Sequence, residues 1–147
     1  MQTHIVIIGG GYGGLRAIEH LAARSDIRIT LLDRNPYHYL QTEAYGYIAG
    51  RFDIHDIAID LDNWCRGFGQ NITFTQCEVS RIDMDGRRVE TSAGGIEYDQ
   101  LIIATGARTN FFAFIKGLRE NSYGVKNMMR AFNFRREFER LIFEKVN

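Results

Sequence analysis

Apolar residues occur first as a short unbroken run and then at helical spacing. His4 to Ile8 reads HIVII, the pattern of a strand buried on both faces, as in a parallel sheet. Gly9, Gly10 and Gly11 end it. Leu15, Ile18, Leu21 and Ala22 then recur at three- and four-residue steps, with Arg16, Glu19 and Arg24 between them. That spacing predicts an amphipathic helix. Ile27 to Leu32 is a second β-rich run, closed by Asp33. Strand, glycine turn, helix and strand within about thirty residues form the signature of a βαβ unit.

After Pro36, the only proline, the pattern changes. Tyr37 to Gly50 is aromatic-rich and has no clean period. Phe52 to Trp64 reads as a short helix with Ile54, Ile57, Ile59 and Leu61 apolar. Three β candidates follow at Asn71–Gln76, Glu78–Met84 and Arg87–Thr91, the last two joined by an Asp85-Gly86 hairpin signal. Ala93-Gly94-Gly95 predicts a turn. Tyr98–Ala104 contains LIIA, a second buried-strand candidate, and runs into Thr105-Gly106. Lys126 to Val146 is helical in pattern. Phe134, Phe138, Leu141, Ile142 and Val146 share one face, and Arg135, Arg136, Glu139 and Arg140 occupy the other.

Composition narrows the classes. A chain of 147 residues, 45% hydrophobic, can bury a core without disulfides or metals. Cys65 and Cys77 form no CxxC pair. Basic and acidic residues number 18 each, so a general nucleic-acid binder is not expected. The zero conceals a split: residues 1–106 carry nine basic and fourteen acidic side chains, residues 107–147 nine and four. No apolar run reaches the roughly 18 to 20 residues of a membrane span. The first strand begins at His4, which leaves no room for a signal peptide. A cytoplasmic chain is the expectation.

Gly9-Gly10-Gly11-Tyr12-Gly13-Gly14 satisfies G-x-G-x-x-G between a buried strand and an amphipathic helix, the context the motif demands. Gly9 permits the tight turn, Gly11 a close approach of the backbone to a pyrophosphate, and Gly14 the packing of helix on sheet. The N-terminus of the helix directs unpaired N–H groups and a positive dipole end at the phosphates. Asp33 lies nineteen residues past Gly14, where a carboxylate can take both hydroxyls of a ribose. These residues admit either NAD or FAD.

The layout after the second strand separates the two. The chain inserts an aromatic segment, a helix and a β-meander, then returns with YDQLIIATGA. That layout resembles the FAD domain of flavoproteins with two dinucleotide-binding domains. In them the strand ending in Ala-Thr-Gly, here Ala104, Thr105 and Gly106, is a second fingerprint. Within that superfamily the chain is most similar to type II NADH:quinone oxidoreductases. The segments that carry the resemblance are IVIIGGGYGGLRA at 5–17, LLDRNPYHYLQTEAYGYIAG at 31–50, DIAIDL at 56–61, ATGARTNFF at 104–112 and the tail at 117–144. Thr42-Glu43-Ala44 departs from the family's Pro-Leu-Leu-like stretch, and Asp60 and Asp62 from its Pro and Arg.

The resemblance implies a Rossmann-like FAD/NAD(P)-binding fold of α/β class, with a parallel sheet, a crossover helix and an antiparallel β-meander, incomplete at its C-terminus. Residues 1–117 would be the FAD-binding domain, and 118–147 a connecting segment leading toward an NADH-binding domain. The implied cofactor is FAD. It would be held by Gly9, Gly11, Tyr12, Gly13, Gly14, Asp33, Arg34, Gln41, Val79, Ala104, Thr105 and Gly106, with Arg34 on the adenine side and Val79 at its edge. Glu43 and Tyr45 join Gln41 as flavin-pocket candidates. In the family, NADH reduces the flavin and the flavin reduces a quinone. A second G-x-G-x-x-G and the late Gly-Asp fingerprint are not in this sequence. NADH and quinone would therefore be met only through further parts of the protein, which would sit peripherally on the cytoplasmic membrane. The chain alone is expected to turn over little. The alternatives are an inactive dinucleotide-binding module and part of another FAD-dependent pyridine nucleotide oxidoreductase.

The remaining features read more plainly. His4, His20, His38 and His55 show no metal-ligand spacing. Asp53, Asp56 and Asp60 fall near one face of the expected Phe52–Trp64 helix, as a solvated surface. Tyr37, His38, Tyr39, Tyr45 and Tyr47 form an aromatic cluster that suits a pocket wall or ordinary core. The two cysteines read as packing residues. The final helix is expected to dock its apolar face on the rest of the protein, and to self-associate when left uncovered.

Overall fold

A computed structural model describes residues 2–146. Its elements in chain order begin with β1 (Thr3–Ile8), α1 (Tyr12–Leu21), β2 (Ile27–Asp33), β3 (Tyr37–Tyr39), α2 (Ala44–Ile48), β4 (Ala58–Asp60) and α3 (Leu61–Arg66). They continue with β5 (Ile72–Gln76), β6 (Val79–Asp83), β7 (Arg88–Thr91), β8 (Gly94–Glu97), β9 (Gln100–Ile103) and α4 (Met128–Val146). The chain divides into two compact units. The first is Met1–His38 with Asp60–Gly106, and the second is Tyr39–Ile59 with Ala107–Asn147. By compactness the break falls after Gly106, eleven residues before the division the sequence suggests at 117, and it assigns Tyr39–Ile59 to the second unit.

The first unit is built on a parallel sheet of order β5-β2-β1-β9. Strand β1 is central, and its unbroken apolar run has a direct cause. Ile5 and Ile7 face a cluster with Leu15 and Ile18 of α1 and Leu61 and Cys65 of α3. Val6 and Ile8 face the opposite way, toward Val89, Val79, Ile82 and Ile96 of the antiparallel meander β6-β7-β8. Both faces are covered, so Ile5 to Ile8 show no polar alternation. Ile7, Ile18 and Leu31 have no exposed surface, and each contributes roughly 1.5–3 kcal/mol of burial. The expected α/β architecture is present: parallel sheet, crossover helix α1 and meander.

His4 is the second residue of β1 and is buried. Its Nε2 lies 2.9 Å from the Thr30 hydroxyl and its Nδ1 accepts from the Arg28 guanidinium at 3.1 Å. Burial, and then Arg28, push its pKa below the ordinary histidine value.

In the second unit, α2 packs on α4 around Tyr47, Ile57 and Ala131. The hydroxyl of Tyr39 donates to the Val125 carbonyl at 3.0 Å. Among the described residues no helix is long and apolar enough to cross a membrane.

Three sequence expectations need correction. Phe52–Trp64 is not one helix: it is a 3-10 turn at Ile54–Asp56, then β4, then α3. The aspartates cause this. Asp53 and Asp56 form a reciprocal capping box, with Asp56 Oδ2 accepting from the Asp53 N–H at 2.8 Å. Asp60 caps α3 by accepting from the Asn63 N–H at 2.7 Å. Side chains that bond nearby backbone donors start and stop helices rather than line them. All three aspartates are exposed, as a solvated surface requires, but they act as caps rather than lining the face of one helix. Second, the turn expected at Ala93-Gly94-Gly95 falls at Ser92 and Ala93, and both glycines begin β8. Third, α4 buries a different stripe. Ala131 is fully buried, whereas Phe138, Leu141, Ile142 and Val146 are exposed. Arg135, expected on the outer face, reaches inward. It donates to the Phe52 carbonyl at 3.2 Å and lies 4.8 Å above the Tyr47 ring. The small Ala131, one turn earlier, brings α2 close enough for that cation–π contact.

Candidate functional site

The sheet places its chemistry at the C-terminal end of β1. From β1 the chain crosses to β2 on one side, while β9 pairs with β1 on the other. A crevice opens at such a point, where neighbouring connections run in opposite directions. The turn Gly9–Gly11 occupies that end.

The glycines of the motif differ in what surrounds them. Gly9 has φ +111°, and a Cβ there would stand 2.4 Å from the Ala104 carbonyl oxygen. A Cβ on Gly14 would stand 2.0 Å from the Gly9 carbonyl oxygen, so α1 packs on the turn with no room for a side chain. Nothing lies within 4 Å of a Cβ built on Gly11. Gly11 is also the N-cap of α1, and no side chain caps it. The structure therefore offers open space beside an uncapped helix start, with two flanking glycines imposed by packing. An anionic group fits such an end through backbone N–H donors and the helix dipole.

Asp33 closes the other side. Its Oδ2 accepts from the Gly10 N–H at 2.7 Å, and its Oδ1 accepts from the Asn35 N–H at 2.8 Å. The Asn35 side-chain amide donates to the same Oδ1 at 3.3 Å, so of about four acceptor positions one remains, on Oδ2, for a hydroxyl donor. Arg34 is exposed, and its carbonyl accepts from Gln76 at 3.0 Å. Ala104 continues the β9 pairing, its N–H donating to Ile8 at 2.8 Å. Thr105 and Gly106 follow it, exposed, and Gly106 has φ +69°. The glycine turn, Asp33 and the Ala104–Gly106 segment are thus brought together from three distant stretches. Val79 stands at the start of β6, its side chain packed with the meander core. Gln41, Glu43 and Tyr45 lie in the second unit, where Gln41 donates to the Lys126 carbonyl at 3.2 Å and Tyr45 is exposed.

Two neighbours of the turn carry no motif signal. Gly10, an unspecified position in G-x-G-x-x-G, has no room for a Cβ without moving Leu61, whose Cδ1 would be 2.6 Å away. His38 is buried; its Nδ1 lies 2.9 Å from the Gly10 carbonyl, and its ring meets Tyr12 edge-on at 4.6 Å. Burial pushes the His38 pKa down, opposed by the Gly10 carbonyl and by Asp33. The two thiols are buried: Cys65 is pushed up to about 11, chiefly by desolvation, and Cys77 is also raised.

Comparison with known proteins follows the same residues. The profile of the family described as pyridine nucleotide-disulphide oxidoreductase matches residues 3–146. The type II NADH:quinone oxidoreductase of Staphylococcus aureus (strain NCTC 8325 / PS 47) is 28% identical over 141 residues, covering 94% of this chain and 34% of that protein. Among solved structures, the sulfide:quinone oxidoreductase of Aquifex aeolicus superposes with a TM-score of 0.84 and 32% identity, over 95% of this chain and 32% of its own. The NDH2 of Plasmodium falciparum in complex with NADH superposes with a TM-score of 0.82 and 22% identity, over 100% of this chain and 31% of its own. The latter likeness is one of fold. The chain spans about a third of the length of these relatives.

Proposed function

The chain belongs to the pyridine nucleotide-disulphide oxidoreductase family, and on that premise we propose that it is the FAD-binding part of an NADH:quinone oxidoreductase-like flavoprotein. The observation that carries the reading is the pairing of open backbone at Gly11 with the oriented carboxylate of Asp33, on a turn whose Gly9 packs against Ala104. Similarity to the Staphylococcus aureus relative along nearly the whole chain supports it.

In this reading Gly9, Gly11, Tyr12, Gly13 and Gly14 present backbone and helix start to the diphosphate. Asp33 takes a hydroxyl of the adenosine ribose. Arg34 covers the adenine and Val79 meets its edge. Ala104, Thr105 and Gly106 pack along the cofactor. Bound FAD would supply the hydride-accepting and electron-passing chemistry. These residues bind, orient and shield it. Residues 1–117 form the FAD-binding part and 118–147 the connection onward. NADH and quinone are engaged by other parts of the whole protein, at the cytoplasmic face of a membrane.

Similarity to a sulfide:quinone oxidoreductase raises a second reading, sulfide oxidation, but this stretch brings no reactive thiol to it. Cys65 and Cys77 are buried and both are held toward the neutral thiol.

The test is direct. The purified chain is titrated with FAD while flavin absorbance and fluorescence are followed, with NAD as the competitor. NADH oxidation is then assayed with a soluble quinone. Weak, saturable FAD binding with little turnover is expected. NAD bound more tightly than FAD would overturn the cofactor assignment.

A further inference from the structure

Gly9, Gly10 and Gly11 in sequence make the most pliable backbone a chain can have. Left to itself, such a turn would sample many orientations of its N–H groups, and a ligand would have to order it. The structure shows two side chains gripping the middle residue from both ends. Asp33 Oδ2 accepts from the Gly10 N–H at 2.7 Å. His38 Nδ1, 2.9 Å from the Gly10 carbonyl, can only donate, because a carbonyl only accepts. Two successive peptide planes are fixed in this way. No described peptide bond is cis, so the N–H of Gly11 points opposite to the Gly10 carbonyl and away from His38.

We propose that His38 is a positioning residue for the dinucleotide turn: its Nδ1–H holds the Gly10 carbonyl back, so that the Gly11 N–H faces the diphosphate. The proposal rests on the dinucleotide-binding reading above. Two further observations favour a dedicated role over simple packing. His38 is 4% exposed, yet its buried Nδ1 has one partner of the required kind at bonding distance. Its ring is held edge-on by Tyr12, the residue that opens α1, at 4.6 Å and 84°. The histidine thus braces the turn and the first helical residue together. It arrives from β3, a strand that carries no part of the fingerprint.

The test uses His38→Phe, which keeps a ring against Tyr12 but removes the donor, and His38→Asn, whose amide restores a donor near the Nδ1 position. Three readouts are taken on the 147-residue chain: amide hydrogen exchange at Gly10 and Gly11, FAD affinity, and the ring ¹⁵N shifts of His38 in the wild type. Wild-type His38 is expected to carry its proton on Nδ1 with Nε2 bare. His38→Phe should raise exchange at the two glycines and weaken FAD binding by about tenfold, the size of one lost hydrogen bond. His38→Asn should recover most of both. A wild-type proton on Nε2 alone overturns the proposal, and so does His38→Phe exchange equal to the wild type. Failure of the wild type to bind FAD overturns the dinucleotide reading instead, while the exchange and tautomer results still decide whether His38 sets the turn.

Discussion

The α-carbon of Gly14 sits so close to Gly9 that a methyl group on it would lie 2.0 Å from the Gly9 carbonyl oxygen. Helix α1 is pressed onto the turn that begins it. The two glycines are a steric requirement of the fold, whereas Gly11 is open and makes no such demand.

Substitution separates these roles. Gly14→Ala should destabilise the chain by about 1–3 kcal/mol or more, because backbone must move to admit the methyl. Gly11→Ala should cost less than about 1 kcal/mol of stability and still abolish dinucleotide binding. Gly13→Ala, whose new methyl meets only the Ala104 Cβ at 3.5 Å, should be neutral or stabilising. Urea unfolding and calorimetric FAD titration of the three variants give the ordering. Equal loss of stability for Gly11→Ala and Gly14→Ala would contradict it.

Asp33→Ala releases the Gly10 N–H and, on the proposed reading, removes an acceptor from ribose. FAD affinity should fall by about 1.5–3 kcal/mol, the usual worth of a hydrogen bond to a charged group. Isothermal calorimetry that finds unchanged affinity would remove Asp33 from the ribose.

Mild acid should weaken the fold through two buried histidines. His4 and His38 are both held below the ordinary histidine pKa, in each case chiefly by burial. The unfolded chain therefore binds these protons first. Their contribution is complete above about pH 6.5 and is lost as pH falls from there through the lower folded values. The melting temperature should drop between about pH 7 and pH 5, and less so in a His4→Gln, His38→Asn double variant. A melting temperature that rises toward pH 5 would refute the assignment.

Phe138, Leu141 and Ile142 present an exposed apolar stripe on the last turns of α4. The isolated chain should associate in a concentration-dependent way, and Leu141→Lys with Ile142→Glu should suppress this. Light scattering that finds the wild type monomeric at high concentration would count against the stripe as a sticky face.

The βαβ core was readable because each of its signals is local and agrees with its neighbours. The unbroken HIVII run, the glycine spacing and the Leu15–Ile18–Leu21 period each name an element, and all are consistent. The region from Phe52 to Trp64 misled because its isoleucines imitate a helical face. The deciding fact there was which backbone N–H each aspartate would bond. His38 was read only as one member of an aromatic cluster, and its bond to Gly10 was invisible for a different reason. It meets Gly10 across twenty-eight residues, and no periodicity reports a hydrogen bond of that range. Arg135 was misplaced because charge alone put it outside, while its stem and the Tyr47 ring made an inward position favourable.

Strand β1 borders β2 on one edge and β9 on the other, pairing Ile5 with Ile29 and with Gln100. During synthesis the first strand therefore emerges long before its second neighbour exists. Until residue 103 has left the ribosome, one side of the most apolar strand in the protein carries a row of unpaired amides and carbonyls. Nascent chains halted short of that point would be sticky substrates for chaperones. The pairing of β9 with β1 is a late and long-range event rather than the growth of an early hairpin.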